Sequence, residues 1–158
     1  MGDGMSRVSI GTFSLETSPG WTLSTVILAG PVDDTPPEPS LLQGPTSRRF
    51  QRNLVATMEE VAEDETPENY VRRQVDGLRK ARVERRQVGD PRKVELAGGL
   101  QGLITEQVIV GDSGERVHQM QLVCIRQHVA HTLITSHLEG VPFDAAREEF
   151  EQMLLSFR

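Results

Sequence analysis

The sequence has few of the residues that hold small extracellular proteins and metal sites together. It contains one cysteine, Cys124, in 158 residues, so it can form neither an internal disulfide nor a cysteine-rich zinc site. A single cysteine is also what a reducing cytoplasm permits. Aromatic residues are also few, with one Trp, one Tyr and five Phe, so the core must consist mainly of Val, Leu and Ile.

Long apolar runs are missing as well. None approaches the roughly 20 residues that a membrane-spanning helix needs, and the start, MGDGMS, lacks the apolar core of a secretory signal. The formal net charge of −6 argues against nucleic-acid binding by the surface as a whole. We interpret residues 1–6 as a disordered N-terminus and residues 7–158 as a single domain.

The sequence also lacks the motifs GxGxxG, GxxxxGK, HExxH and GxSxG, which mark nucleotide-binding and hydrolytic sites. A tight hairpin that turns at residues 127–128 would put Cys124 opposite His131. The same register would put His118 opposite His137, close enough for a thiolate pair or a two-histidine metal site. The sequence positions no third ligand, so we predict no catalytic site, no metal and no cofactor.

What the sequence does contain is a series of strand patterns, the first of which are followed by a proline-rich segment. RVSIGTFSL (7–15) predicts a strand with a bend, and WTLSTVILAG (21–30) predicts a second strand after the turn at 18–20. Residues 31–47 hold five prolines and predict a long surface loop. A third strand is centred on residues 54–58.

An amphipathic helix is predicted from about residue 67 to residue 83. Thr66 can cap its N-terminus. Gly77 inside the helix costs about 1 kcal/mol relative to Ala, which predicts that something packs closely against it. The apolar residues that share one side of the helix are Val71, Val75 and Leu78.

Four strand patterns follow Pro91, and the turn GDSGE joins the middle two as a hairpin. They are RKVELAG, GLQGLITEQVIVG, ERVHQMQLVCIR and VAHTLITSHL. The closing segment, PFDAAREEFEQMLLSF, has apolar residues at helical spacing. The sequence therefore predicts an α+β fold, with a largely antiparallel twisted sheet and helices packed on it in an α/β/α sandwich.

This order of elements resembles the DcrB, Mog1 and PsbP-like superfamily over nearly the whole chain. The segments that carry the resemblance are FSLETSPGW, NLVATMEE, TPENYVRRQVDGL and LITSHLEG with the closing FEQMLLSFR. Within the superfamily, the sequence is most similar to the bacterial Eag-type chaperones of type VI secretion effectors. The resemblance implies a noncatalytic cytoplasmic homodimer that shields the hydrophobic N-terminal helices of a secreted effector.

The same resemblance implies a set of partner-binding residues on a strand, the helix and the hairpin, and no direct membrane insertion. Gln119 is a weaker alternative to the hairpin glutamine. The implied residues are Val26, Leu28, Gln74, Leu78 and Gln121. Two departures from the chaperones are the long loop at 31–47 and Arg82, which falls on the binding side of the predicted helix.

The basic span of residues 72–86 supports an alternative hypothesis. On this hypothesis the protein is a Mog1-like adaptor that binds a soluble acidic protein through a basic helix. The residues that would contact the acidic partner are Arg72, Arg73, Arg79 and Lys80. A solvated helix face is the simpler interpretation of the same charges.

Overall fold

The computed structural model describes residue 50 and residues 52–158 in full, and the backbone of three strands before them. The three strands are β1 (Ser6–Ile10), β2 (Phe13–Thr17) and β3 (Ser24–Ala29). The predicted turn at 18–20, the predicted loop at 31–47 and residues 1–5 lie outside the described residues. Ser6, which we assigned to a disordered N-terminus, belongs to β1.

β1 and β2 pair with each other as a two-stranded antiparallel sheet, with Val8 opposite Leu15. The prediction of one bent strand over residues 7–15 is therefore wrong. The alternation of apolar residues in RVSIGTFSL shifts because the chain reverses between β1 and β2. A bulge within one strand would shift the alternation in the same way, so the sequence pattern alone does not distinguish the two.

The rest of the described chain forms six further strands and two α-helices. The strands are β4 (Asn53–Glu60), β5 (Arg85–Gln87), β6 (Arg92–Glu95), β7 (Gln101–Val110), β8 (Arg116–Arg126) and β9 (Val129–Leu138), and the helices are α1 (Pro67–Lys80) and α2 (Val141–Leu155).

Strands β3 to β9 form one seven-stranded sheet in the order β3-β4-β9-β8-β7, with β5 and β6 both along the outer edge of β7. Every pairing is antiparallel. The predicted α+β fold, an antiparallel sheet with helices packed on it, is confirmed.

The hairpin of β8 and β9 has the predicted register. Cys124 lies opposite His131, and His118 lies opposite His137. The two turn residues, Gln127 and His128, have φ angles of 52° and 60°. Because both lie in the left-handed region, they give a tight turn of the kind that matches strand twist, although neither residue is glycine.

One face of the sheet packs against α2, and the main hydrophobic core lies there. Leu122 and Cys124 of β8 are fully buried against Phe143, Phe150 and Leu154 of α2. The imidazole of His118 stacks on the ring of Phe143, with 3.6 Å between the ring centroids. The terminal helix predicted to lie on the sheet is confirmed.

The opposite face of the sheet carries α1, which begins as predicted. The Thr66 hydroxyl accepts a hydrogen bond of 3.2 Å from the backbone N–H of Asn69. Tyr70 is the buried residue of this helix, and it packs on Val123 and Ala130 of the sheet. Tyr70 also donates its hydroxyl proton to Glu59 at 2.7 Å.

The end of α1 differs from the prediction. The helix stops at Lys80 because Arg82 takes a φ of 58°, and the Val83 N–H donates to the Leu78 carbonyl at 3.0 Å. This is a Schellman cap in which an arginine stands where glycine is usual. Arg82 therefore lies beyond the helix and does not belong to its binding side.

The basic span of residues 72–86 is consequently not one helix. Its last two arginines, Arg85 and Arg86, belong to the edge strand β5, which the sequence patterns did not predict. Arg86 pairs with Glu139 at 2.6 Å, whereas Arg85 turns toward the sheet face under α1.

Candidate functional site: a groove between helix α1 and the sheet

A half-open groove of about 440 Å³ lies between α1 and the sheet. Tyr70 of α1 is buried against the sheet, and the helix residues that line the groove one to two turns later are half-buried or exposed. We call this space the α1 groove. Its lining residues are Val71, Gln74, Val75, Gly77 and Leu78 of α1, and Arg85, Thr105, Gln107, Ile109, Gln119, Gln121 and Ile134 of the sheet.

Side chains on the floor of the α1 groove form a chain of hydrogen bonds across four strands. The Nε of Arg85 donates to the amide oxygen of Gln107. Gln107 donates in turn to Gln119 at 2.8 Å, and Gln119 donates to the Ser136 hydroxyl at 3.2 Å. Each amide orients the next one, so the glutamine amides of the floor have hydrogen-bond partners within the protein.

A second amide contact joins the floor to the helix. Gln121 of β8 is 7% exposed, and its side-chain amide donates to the amide oxygen of Gln74 at 2.8 Å. The structure thus brings together three of the residues implied by the resemblance, Gln74, Leu78 and Gln121, in one groove. Gln119, the weaker alternative, lines the same groove.

The two remaining residues of that set, Val26 and Leu28, lie on β3, for which the structure describes the backbone. The register aligns Leu28 with Val55, Ile134 and Gln121 in one row across four strands. Leu28 therefore shares a row with two groove-lining residues. Val26 lies two residues before Leu28 on the same face of β3, opposite Thr57. The binding role of both residues stays a prediction.

Gly77 does not have the close packing that we predicted from its helical position. A Cβ atom built on it would meet no atom within 4 Å. Gly77 lies instead on the rim of the α1 groove, so the expected neighbour is replaced by open space. The prediction was wrong because Gly77 is exposed on the helix and does not face a packed neighbour.

The sequence patterns did not single out the β7 residues of the groove. Thr105, Gln107 and Ile109 alternate along β7, and alternate residues of a strand share a face. This alternation was visible in LITEQVIV and could have marked the three residues as one surface. The sequence does not show, however, which face of the sheet α1 would cover.

The alternative basic patch is partly neutralised by the protein itself. Arg73 forms an ion pair with Glu65, and Arg79 pairs with Asp76 at 2.7 Å. Arg72 donates to the side chain of Asn69 at 3.3 Å, and Lys80 is exposed. Binding of an acidic partner through these four residues stays a prediction, but two of the charges already have carboxylate partners.

The cysteine and histidine pairs on the α2 face have other roles in the fold. Cys124 is fully buried, and burial raises the pKa of its thiol to about 11. Burial, with the nearby Arg126 charge, lowers the pKa of His131. His118 contacts Glu106 at 2.9 Å. Among the described residues, no group of three His, Cys, Asp or Glu side chains could hold a metal ion.

Comparisons with known proteins extend the description of the fold. No protein-family model matches this sequence, and no curated protein matches it. The structure is similar to that of PA94 from Pseudomonas aeruginosa, a protein of unknown function described as a candidate regulator. The TM-score is 0.60 at 11% sequence identity, over 98% of this chain and 96% of that one.

A second similar structure is the cyanobacterial PsbP, CyanoP, from Synechocystis sp. PCC 6803. The TM-score is 0.56 at 15% identity, over 99% of this chain and 92% of that one. The chain has the Mog1/PsbP-like fold. This confirms the fold that the sequence resemblance implied. In the part of the chain that the structure describes, no helix is both long and apolar enough to cross a membrane.

Proposed function

We propose that this protein is a noncatalytic binding protein that shields a hydrophobic helical segment of another protein in its α1 groove. In this proposal the partner is the N-terminal segment of a secreted effector, as for the Eag-type chaperones of type VI secretion that the sequence resembles. The protein would act in the cytoplasm and as a homodimer, as in those chaperones.

The observation that carries the proposal is the α1 groove, in which both the helix and the sheet present apolar side chains that are only half-buried. Val75 and Leu78 line it from the helix, and Ile109 and Ile134 line it from the sheet. A concave site with apolar walls and a few placed polar groups is typical of binding pockets. Removing apolar surface from water is favourable by about 25 cal/mol for each Å², and this gain must exceed the entropic cost of association.

The amide floor favours a helix as the occupant. A helix satisfies its own backbone groups and presents side chains alone, so it needs few polar partners from the groove. Gln107 and Gln119 are already bonded to each other, and Gln121 is bonded to Gln74. These amides therefore tolerate an apolar neighbour without being left unsatisfied, which would otherwise cost free energy.

The test is coexpression with N-terminal fragments of candidate effectors, followed by purification in moderate salt. Mass spectrometry and light scattering then identify what accompanies the protein and in what stoichiometry. We expect a stable complex with a hydrophobic helical fragment. Ile109→Lys places a charge in the groove and should abolish the complex.

Val141→Glu is the matched control for the groove variant. Val141 is an apolar residue of α2 that is 81% exposed and lies on the other side of the sheet from the groove. This variant should retain the complex. If Ile109→Lys folds and still copurifies with the fragment in full amount, the proposed groove is not the binding site.

A further inference from the structure

Arg85 differs from the other half-buried arginines of the described chain. Three arginines in residues 52–158 are half-buried. Arg52 pairs with Glu149 at 2.7 Å, and Arg147 pairs with Glu106 at 2.7 Å. Arg85 has no carboxylate partner among the described residues, and its side chain donates to the amide of Gln107 instead.

The position of Arg85 makes this lack of an acid costly. The residue lines the α1 groove, and in the sheet it lies directly opposite Ile109. Burial lowers the pKa of its guanidinium group. A partly desolvated charge that is not paired is unfavourable, and an anion brought into the groove would offset that cost.

The guanidinium group also keeps donors for such an anion. Arginine has five N–H groups in a fixed plane, of which the Nε–H is the one used toward Gln107. The remaining four, on the two terminal nitrogens, match the two oxygens of a carboxylate. The lining of the groove contains no aspartate or glutamate that could occupy them.

We propose that Arg85 selects a partner helix that carries one acidic side chain within its apolar segment, and that it binds this carboxylate on the groove floor. The inference rests on the proposed function and adds a specificity determinant to it. An acidic residue inside an apolar helix is itself costly to leave unpaired in a dry interface. Charge complementarity therefore favours a partner of this chemistry over a wholly apolar helix.

The probes are two capped helical peptides of alanine and leucine with lysines at both ends, identical except for one central Glu or Gln. Calorimetry measures their affinities for the full-length protein. We expect the Glu peptide to bind roughly tenfold more tightly, the ratio given by one charge-assisted hydrogen bond. Arg85→Gln should remove the difference, because glutamine can still donate to Gln107 but carries no charge.

Two further variants separate a loss of charge from a loss of structure. Arg85→Lys keeps the charge without the planar fork and should retain part of the preference. Arg92→Gln removes an exposed arginine that pairs with Glu151 of α2 at 2.5 Å, outside the groove, and should retain all of it.

The possible failures are distinguishable. If the wild-type protein binds both peptides equally, or if Arg85→Gln keeps the preference, recognition of the carboxylate by Arg85 is refuted while the groove stays a binding site. If neither peptide binds, the proposed function is contradicted and this inference with it.

Discussion

Gln121 of β8 donates its side-chain amide to Gln74 of α1 at 2.8 Å, and so ties the helix to the sheet beside the open groove. Gln121 is almost fully buried, so removal of its partner would leave a buried amide unsatisfied. We expect Gln74→Leu alone to lower the free energy of unfolding by about 1–3 kcal/mol. Gln121→Leu alone should lower it less, because the Gln74 amide that is left behind is only half-buried and lines the open groove.

The double variant Gln74→Leu/Gln121→Leu tests whether the pair acts as a unit. When both partners become apolar, no polar group is left stranded, so the combined loss should be well below the sum of the single losses. Urea unfolding of the four proteins gives the coupling energy. Strictly additive losses would show that the two amides do not depend on each other.

Tyr70 should titrate far above an ordinary tyrosine. Burial, the hydrogen bond to Glu59 and the charge of that carboxylate raise the pKa of Tyr70 from 10.0 to about 12. It is the only tyrosine of the chain, so tyrosinate absorbance reports on it alone. A midpoint near the ordinary value in the folded protein would contradict the observed burial.

The same shift predicts how stability depends on pH. The folded state holds the Tyr70 proton more tightly than the unfolded state and is stabilised by it. This contribution to the free energy of unfolding is complete below pH 10.0 and is lost as the pH rises toward about 12. Thermal unfolding of wild type and Tyr70→Phe across this range measures the effect. The variant should lack this part of the pH dependence.

Cys124 should resist thiol reagents in the folded protein. Its side chain is fully buried, and burial raises the pKa of the thiol to about 11, so both access and thiolate content are low at neutral pH. We expect labelling to be slow in buffer and to become rapid in denaturant. Rapid labelling of the native protein would show that the core around Cys124 opens readily.

The salt dependence of affinity distinguishes binding in the α1 groove from binding through the alternative basic patch. Exposed charges are screened beyond about 10 Å at 0.1 M salt, so binding through Arg72 and Lys80 would weaken steeply as salt increases. The groove hypothesis predicts that complex formation changes little, apart from the single contact to Arg85. Affinity measurements from low to moderate salt, with Arg72→Gln/Lys80→Gln beside the wild type, decide between them.

The sequence predicted most of the sheet because its strands carry strong local patterns. The register of β8 and β9 followed from one assumption, a tight turn at residues 127–128, and the opposite pairs Cys124–His131 and His118–His137 confirm it. The edge strand β5 was not predicted, since RRQ has no apolar residue to reveal a pattern. Its pairing with β7 is a tertiary contact.

The candidate site was less predictable for a physical reason. The amphipathic pattern identified Leu78, and the resemblance identified Gln74 and Gln121. The groove itself is a tertiary feature, because side chains of α1, β5, β7, β8 and β9 line it together, and no local pattern shows that these elements meet. The importance of Arg85 is hidden for the same reason, because an arginine without an acid partner is visible only in the folded chain.

Site-specific photocrosslinking from the rim of the α1 groove tests most directly whether the partner binds there. Gly77→Cys adds a side chain where no atom lies within 4 Å, and the buried Cys124 leaves the new thiol as the reactive one. Ala145→Cys, at an exposed position of α2, is the control. Each variant is coupled to a benzophenone, mixed with the copurified effector fragment and illuminated. Binding in the α1 groove predicts a crosslinked adduct from position 77 and none from position 145. A complex that forms but crosslinks only from position 145 would show that the partner binds elsewhere.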